Sequence, residues 1–111
     1  MRDWTFIHGL DPGDPREPRI RVRLVTDRGR VHDFSAQLEI RYGKRHVAIA
    51  RYDGSHGRPH RDLLDQDGYD YQRVWLDGMT NAQAATHAIA DFEINWASYA
   101  NEFERREGLS S

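Results

Sequence analysis

No cysteine occurs among the 111 residues, which excludes a disulfide framework, a thiolate metal centre and a cysteine nucleophile. Long apolar runs are missing as well. No stretch approaches the roughly 18 apolar residues of a membrane span, and the opening MRDWTFIHGLDPGDP has no signal-peptide core. A soluble, cytoplasmic protein without a membrane partner is therefore expected. There is no GxSxG elbow, no Walker phosphate loop and no Rossmann glycine pattern, so serine hydrolase, NTPase and dinucleotide-dependent chemistries have no support. Proline is scarce, and three of its four copies fall in LDPGDPREPR, a loop sequence that leaves the rest of the chain free for regular structure.

What is present is aromatic bulk and charge. Three Trp, five Tyr and four Phe are enough to build one core, and the length corresponds to a single domain, 1–111. The formal net charge of -2 conceals an asymmetry, because residues 1–61 carry 13 Lys/Arg against 8 Asp/Glu and residues 62–111 carry 3 against 10. A basic half can attract phosphates or an acidic partner. Mutual neutralisation of the two halves, within the fold or across a dimer, is the expectation here.

After an N-terminal segment and Pro-rich loop (1–19), alternation marks strands. IRVRLVT places Ile20, Val22 and Leu24 on one face, and FSAQLEIRY places Phe34, Ala36, Leu38, Ile40 and Tyr42 together. With HVAIARY, residues 20–52 read as a three-stranded meander. Register follows from the need for apolar faces to meet, since a one-residue slip turns every apolar side chain to water. A three-residue loop Asp27-Arg28-Gly29 sets Val22 opposite Phe34, Ile20 opposite Ala36 and His32 opposite Leu24. A two-residue loop at Gly43-Lys44 sets Ile40 opposite Val47 and Leu38 opposite Ile49, with Gly43 supplying a positive φ. Continued, that register puts Arg51 opposite Ala36, on the apolar side.

Residues 53–70 then read as a His/Asp-rich loop, 71–76 (YQRVWL) as a further strand, and 81–107 as a helix on the order of 40 Å long. Thr80 and Gln83 have capping-box spacing, and Gly108 is a suitable stop. The helix stripe of Ala85, Ile89, Phe92, Trp96, Tyr99 and Phe103 needs an apolar surface that only the shared strand face provides. The expected fold is α+β: an antiparallel β-meander of four to five strands with one long C-terminal helix packed across one face. Its last turns, around Phe103, would project past the sheet or meet a second copy.

The densest potential chemistry lies in RYDGSHGRPHRDLLD, residues 51–65, where His56 and His60 flank Gly57 and Pro59 with Asp53 and Asp62 just outside. Three readings compete. As an acid/base pair, the imidazoles abstract a ribose 2′-hydroxyl proton and protonate the leaving oxygen, with Arg51, Arg58 or Arg61 on the phosphorane charge and Asp53 orienting a ring. As a metal site, the His-x3-His spacing suits a helix that Gly57 and Pro59 oppose, so Asp53 or Asp62 and a distant histidine would have to complete the sphere. As a structural loop, the histidines and aspartates satisfy backbone amides and carbonyls. The run Asp65 to Gly68 opens like a calcium loop but lacks its closing glutamate, and reads as a turn.

With QLEI and HVAIARYD upstream and AIADFEINWASYANEFER downstream, this stretch resembles a family of small uncharacterised prokaryotic proteins having an RYD-x-x-HG-x-PH-x-D motif and a helix with a D-x-x-x-N-W segment. The resemblance covers most of the chain and directs attention to Arg51, Tyr52, Asp53, His56, His60 and Asp62. More distantly, the chain is similar to TumE-type toxins of toxin-antitoxin systems, which are also small sheet-plus-helix proteins. The function expected on these grounds is a toxin-like cytoplasmic protein acting on RNA as a metal-independent ribonuclease, without a cofactor. His56, His60 and Asp53 would be catalytic, and Arg51, Arg58, Arg61, Tyr52 and Asp62 would bind phosphate or a partner. Partners would be RNA, a small antitoxin-like protein or a second copy. A non-enzymatic module that binds a protein or its own copy, with a structural histidine loop, stays open beside it.

Overall fold

Among the described residues six strands, rather than four or five, form one antiparallel sheet. The computed structural model describes residues 1–54 and 57–109. In it β1 (Arg2–Gly9), β2 (Arg19–Asp27), β3 (Arg30–Tyr42), β4 (Arg45–Asp53), β5 (His60–Leu64) and β6 (Asp70–Trp75) are neighbours in chain order, followed by α1 (Asn81–Arg106). The strand that the sequence pattern hides is β5, inside the segment read as loop 53–70. Its residues HRDLL begin with polar side chains on both faces, so no apolar alternation announces it.

The turn between β2 and β3 is tighter than expected. Only Arg28 and Gly29 lie between the partners Asp27 and Arg30, and both have positive φ, 52° and 78°. A bulge compensates: Thr26 faces Val31 and Val25 faces Asp33, leaving His32 unpaired. Val22 therefore lies opposite Ala36 and Ile20 opposite Leu38, a shift of two from the expected register, so the apolar faces still meet. Between β3 and β4 the Gly43-Lys44 turn forms as expected, with Gly43 at φ 62° and Ile40 opposite Val47. Here too a bulge intervenes. Glu39 faces Ala48 and Leu38 faces Ala50, so Ile49 is the extra residue, and both Ile49 and Ala50 are buried. One added residue exchanges the two faces of the strand beyond it. Tyr52, not Arg51, lies opposite Ala36, which moves Arg51 off the apolar side.

α1 packs against β3 and β4. Thr80 caps it with both halves of the capping box in place, and the Leu109 N–H closes its end on the Glu104 carbonyl at 2.8 Å. Phe92 is fully buried between the rings of Tyr52 and Tyr99, each 5.3 Å away. Phe103 does not project. It is buried and stacks on Tyr42 of β3 at 5.8 Å, so the sheet still lies beneath this end of the helix, over which the Pro-rich loop also closes. From that loop Arg16 Nη1 donates to Asn101 Oδ1 and to Glu104 Oε2, both at 3.0 Å, and its guanidinium lies over the half-buried Trp96. Two ion pairs join the basic half to the acidic half, Arg16 on Glu104 and Arg58 on Asp77, while Arg19 and Arg21 on the buried Glu39 and Arg23 on Asp3 are paired within the basic half. Among the described residues no helix is long and apolar enough to cross a membrane.

Candidate functional site

The site is built by register. β4 and β5 pair Asp53 with His60 and Arg51 with Asp62, while β5 and β6 pair His60 with Trp75 and Asp62 with Arg73. Direct partners in an antiparallel ladder share a face. These six side chains therefore form one patch on the face turned away from α1. Two glycines make the return from β4 to β5 possible. The Gly57 N–H closes a turn on the Gly54 carbonyl at 3.0 Å, with Gly57 at φ 72°. At Gly54 a Cβ would stand 2.3 Å from Asn81 Oδ1, a side chain that holds the helix start to the bulged strand through a hydrogen bond to the His32 carbonyl.

At the centre, His60 is only 3% exposed and Asp62 only 1%. His60 Nδ1 lies 3.2 Å from the Arg58 carbonyl, which can only accept, so Nδ1 carries the proton. Nε2 faces two carboxylates, Asp53 Oδ1 at 3.2 Å and Asp62 Oδ2 at 3.4 Å. Arg73 holds Asp62 in a two-point fork, Nε to Oδ1 at 2.7 Å and Nη2 to Oδ2 at 3.2 Å, and also reaches Asp70. Arg51 Nε stands 3.5 Å from Asp53 Oδ2. The rim is aromatic and cationic. Trp75 meets the His60 ring edge-on at 5.1 Å, is 40% exposed, and lies under the guanidinium carbons of Arg58 and Arg73 at 4.0 and 5.4 Å.

Of the residues expected from sequence, Asp53, His60, Asp62, Arg51 and Arg58 come together here. His56 lies outside the described residues. Tyr52 and Arg61 point to the opposite face, as mutual register partners on the α1 side. There the Tyr52 hydroxyl donates to Asp91 Oδ2 at 2.8 Å, Arg61 Nη1 donates to the Tyr99 hydroxyl at 3.1 Å, and Tyr99 donates to the same Asp91 oxygen. A cleft of about 410 Å³ opens beside this network, lined by Arg61, Leu63, Asp91, Tyr99 and Arg106 among others. Burial pushes the Asp91 carboxyl up, but hydrogen bonds from Tyr99, Asn95 and Tyr52 outweigh it and hold the group below the usual carboxylate range. Burial, reinforced by Asp91, pushes Tyr99 up to about 12 and raises Tyr52 further. Asp65 is structural, its Oδ1 accepting from the N–H groups of Asp67 and Tyr69 in the β5–β6 turn.

Sequence reasoning missed Arg73 and Trp75 as members of the patch, and Asp91 and Tyr99 as the partners of Tyr52 and Arg61. Alternation along YQRVWL puts Arg73 and Trp75 on one face; what it cannot supply is β5, the strand that sets that face against His60 and Asp62.

Fold and patch together define a small α+β protein whose ionisable groups converge on the uncovered side of a meander. The chain belongs to a family described as a domain of unknown function, DUF7718, which matches residues 1–109. No curated protein and no solved structure matches it.

Proposed function

We propose that the uncovered sheet face around Trp75 binds RNA, and that the chain is a toxin-like protein acting on RNA in the cytoplasm. The observation that carries this reading is the half-exposed Trp75 ring with two guanidiniums over it. A flat indole stacks on an unpaired base, and flanking arginines take the neighbouring phosphates. Beyond its stacking on Trp75, Arg58 forms an exposed pair with Asp77, a contact weak enough to exchange for phosphate. Burial of His60 argues against a freely shuttling acid or base at that position, since a ring 3% exposed does not reach a polymer's 2′-hydroxyl. Its part is to hold the patch together beneath the bound strand.

Fluorescence anisotropy with a labelled single-stranded RNA of about a dozen nucleotides tests this. Binding should weaken steeply with salt, and Trp75→Ala should weaken it roughly 5- to 100-fold, the loss of one stacked base. Absence of binding at low salt refutes it. The toxin component fails separately if expression of the chain alone leaves growth unaffected.

A second reading is favoured by β1. This edge strand exposes Trp4 at 48% and Phe6 at 45% on one face and Ile7 at 49% on the other, apolar side chains beside unpaired backbone groups that suit strand addition by a partner protein or a second copy. Sedimentation of wild type against Trp4→Ser/Phe6→Ser tests the second-copy form.

A further inference from the structure

We infer that Asp53, His60 and Asp62 form a binding site for a single divalent first-row transition cation, Mn²⁺ or Zn²⁺ in kind, with its remaining positions open to water or a phosphate oxygen. One ligand atom from each residue lies within 4.8 Å of the others, and the two nitrogen–oxygen separations are 3.2 and 3.4 Å. Ligands each about 2.1 Å from one ion stand about 3.0 Å apart at a right angle and about 3.4 Å apart at the tetrahedral angle. Both separations fall in that interval.

The hydrogen bonding points the same way. With Nδ1 donating to the Arg58 carbonyl, Nε2 is the ring nitrogen turned to the two carboxylates. A single N–H points at one acceptor, yet two oxygens share Nε2 at nearly equal distance, the arrangement a cation satisfies. A ring N–H bound to a backbone carbonyl is also the support that metal-ligating histidines ordinarily have, and Arg73 and Arg51 orient the two carboxylates from outside. One nitrogen with two carboxylate oxygens suits Mn²⁺ or Zn²⁺ better than Ca²⁺, which takes six to eight oxygen ligands. All three ligands stand on paired strands, a rigid frame. Asp53, with 14% of its side chain exposed, marks the open side. This inference departs from the metal-free expectation drawn from the sequence, which had no β5 to bring Asp62 beside Asp53.

The role of such an ion beneath a bound phosphate rests on the RNA-binding reading; the site itself does not, and its test uses no RNA. Chelator-treated full-length protein is titrated with Mn²⁺, followed by the electron paramagnetic resonance of free ion, and with Zn²⁺ by calorimetry. One ion per chain is expected, with nitrogen modulation from a single imidazole in pulsed spectra and a rise of several degrees in melting temperature at about a hundredfold excess over Kd. Asp53→Asn should weaken binding at least about tenfold and lose the metal-induced melting shift, while Asp77→Asn, at the exposed Arg58 pair, should bind as wild type. His60→Asn should remove the nitrogen signal; should it not fold, Asp53→Asn decides. Absence of saturable binding up to about 1 mM, far above the affinity of a resident site, overturns the inference. So does Asp53→Asn binding as tightly as wild type. Metal binding without RNA binding would refute the RNA reading alone, and RNA binding without metal binding would refute the metal site alone.

Discussion

Two aromatic residues one turn apart on α1 should respond very differently to truncation. Phe92 has no exposed surface and meets Tyr52 and Tyr99 edge-on, both at 5.3 Å. Phe→Ala at a buried site costs about 3 to 5 kcal/mol, depending on how far the surroundings can collapse. Here they collapse little, because both tyrosine hydroxyls are tied to Asp91 and the rings cannot swing into the void. The upper part of that range, about 4 to 5 kcal/mol, is therefore expected for Phe92→Ala. Trp96 appears equivalent in the helical stripe but is only partly buried, beneath the Arg16 guanidinium at 5.1 Å. Its truncation should cost about 1 to 2 kcal/mol, from one cation–π contact and partial desolvation. In urea, with a slope of about 2 kcal/mol/M, Phe92→Ala should move the unfolding midpoint down by about 2 M and Trp96→Ala by less than about 1 M. Equal shifts, or a Phe92→Ala midpoint close to wild type, would refute the packing described for α1.

Other outcomes follow from the turn and the ionisable network. Arg28→Asn places asparagine at φ 52° before Gly29, the pairing this two-residue turn prefers, and should raise stability by roughly 0.5 to 1 kcal/mol in the same titration; a loss would contradict the turn. Asp91 has a lowered native pKa, so its contribution is fully present above the unfolded value of about 3.9 and is lost as pH falls through the native one. Asp91→Asn should therefore cost stability at pH 7 and flatten the acid limb of melting temperature against pH, and an unchanged limb would count against the network. Tyr42 and Tyr99 are pushed up to about 12, Tyr42 chiefly by burial and then by Glu104. Each stabilises fully below the unfolded value of about 10 and loses that effect as pH rises through the native value. Stability should fall above pH 10 or so, and Tyr99→Phe should make that fall shallower; an equally steep alkaline limb would be the contrary result.

Local rules reached a defined distance into this fold. α1 was legible to within a residue at each end because the cap, the stripe and the Gly108 stop agree. The Gly43-Lys44 turn was legible because Gly43 and the flanking apolar residues permit one short solution. Neither bulge was. His32 and Ile49 carry no local mark of being unpaired: Ile49 is placed by burial in the core, and the exposed His32 is tied to α1 through its carbonyl, which accepts from Asn81. The second error propagated: one uncounted residue at Ile49 turned Arg51 and Tyr52 the wrong way. β5 was hidden for a different reason. His60 and Asp62 occupy buried strand positions as polar residues whose partners come from β4, β6 and the Arg58 carbonyl, and no periodicity in hydrophobicity reports that. The burial of His60 was hidden on the same point, since the ring lies against Trp75, fifteen residues further on.

The order of elements gives this protein a vulnerable moment in its synthesis. Every strand precedes Asn81, and each pairs with its immediate neighbour in the chain, so the sheet can assemble while later residues are still being added. Its lid comes last. At about 5 to 20 residues per second, the 26 residues of α1 take roughly 1 to 5 s to make. Throughout that interval Ile20, Val22, Phe34, Leu38 and Ile40 have no intramolecular cover. A nascent sheet with an open apolar side and the bare β1 edge is adhesive until α1 covers it. A chain truncated after Met79 and released from the ribosome should therefore bind holding chaperones or another copy, and the chain that carries α1 should not.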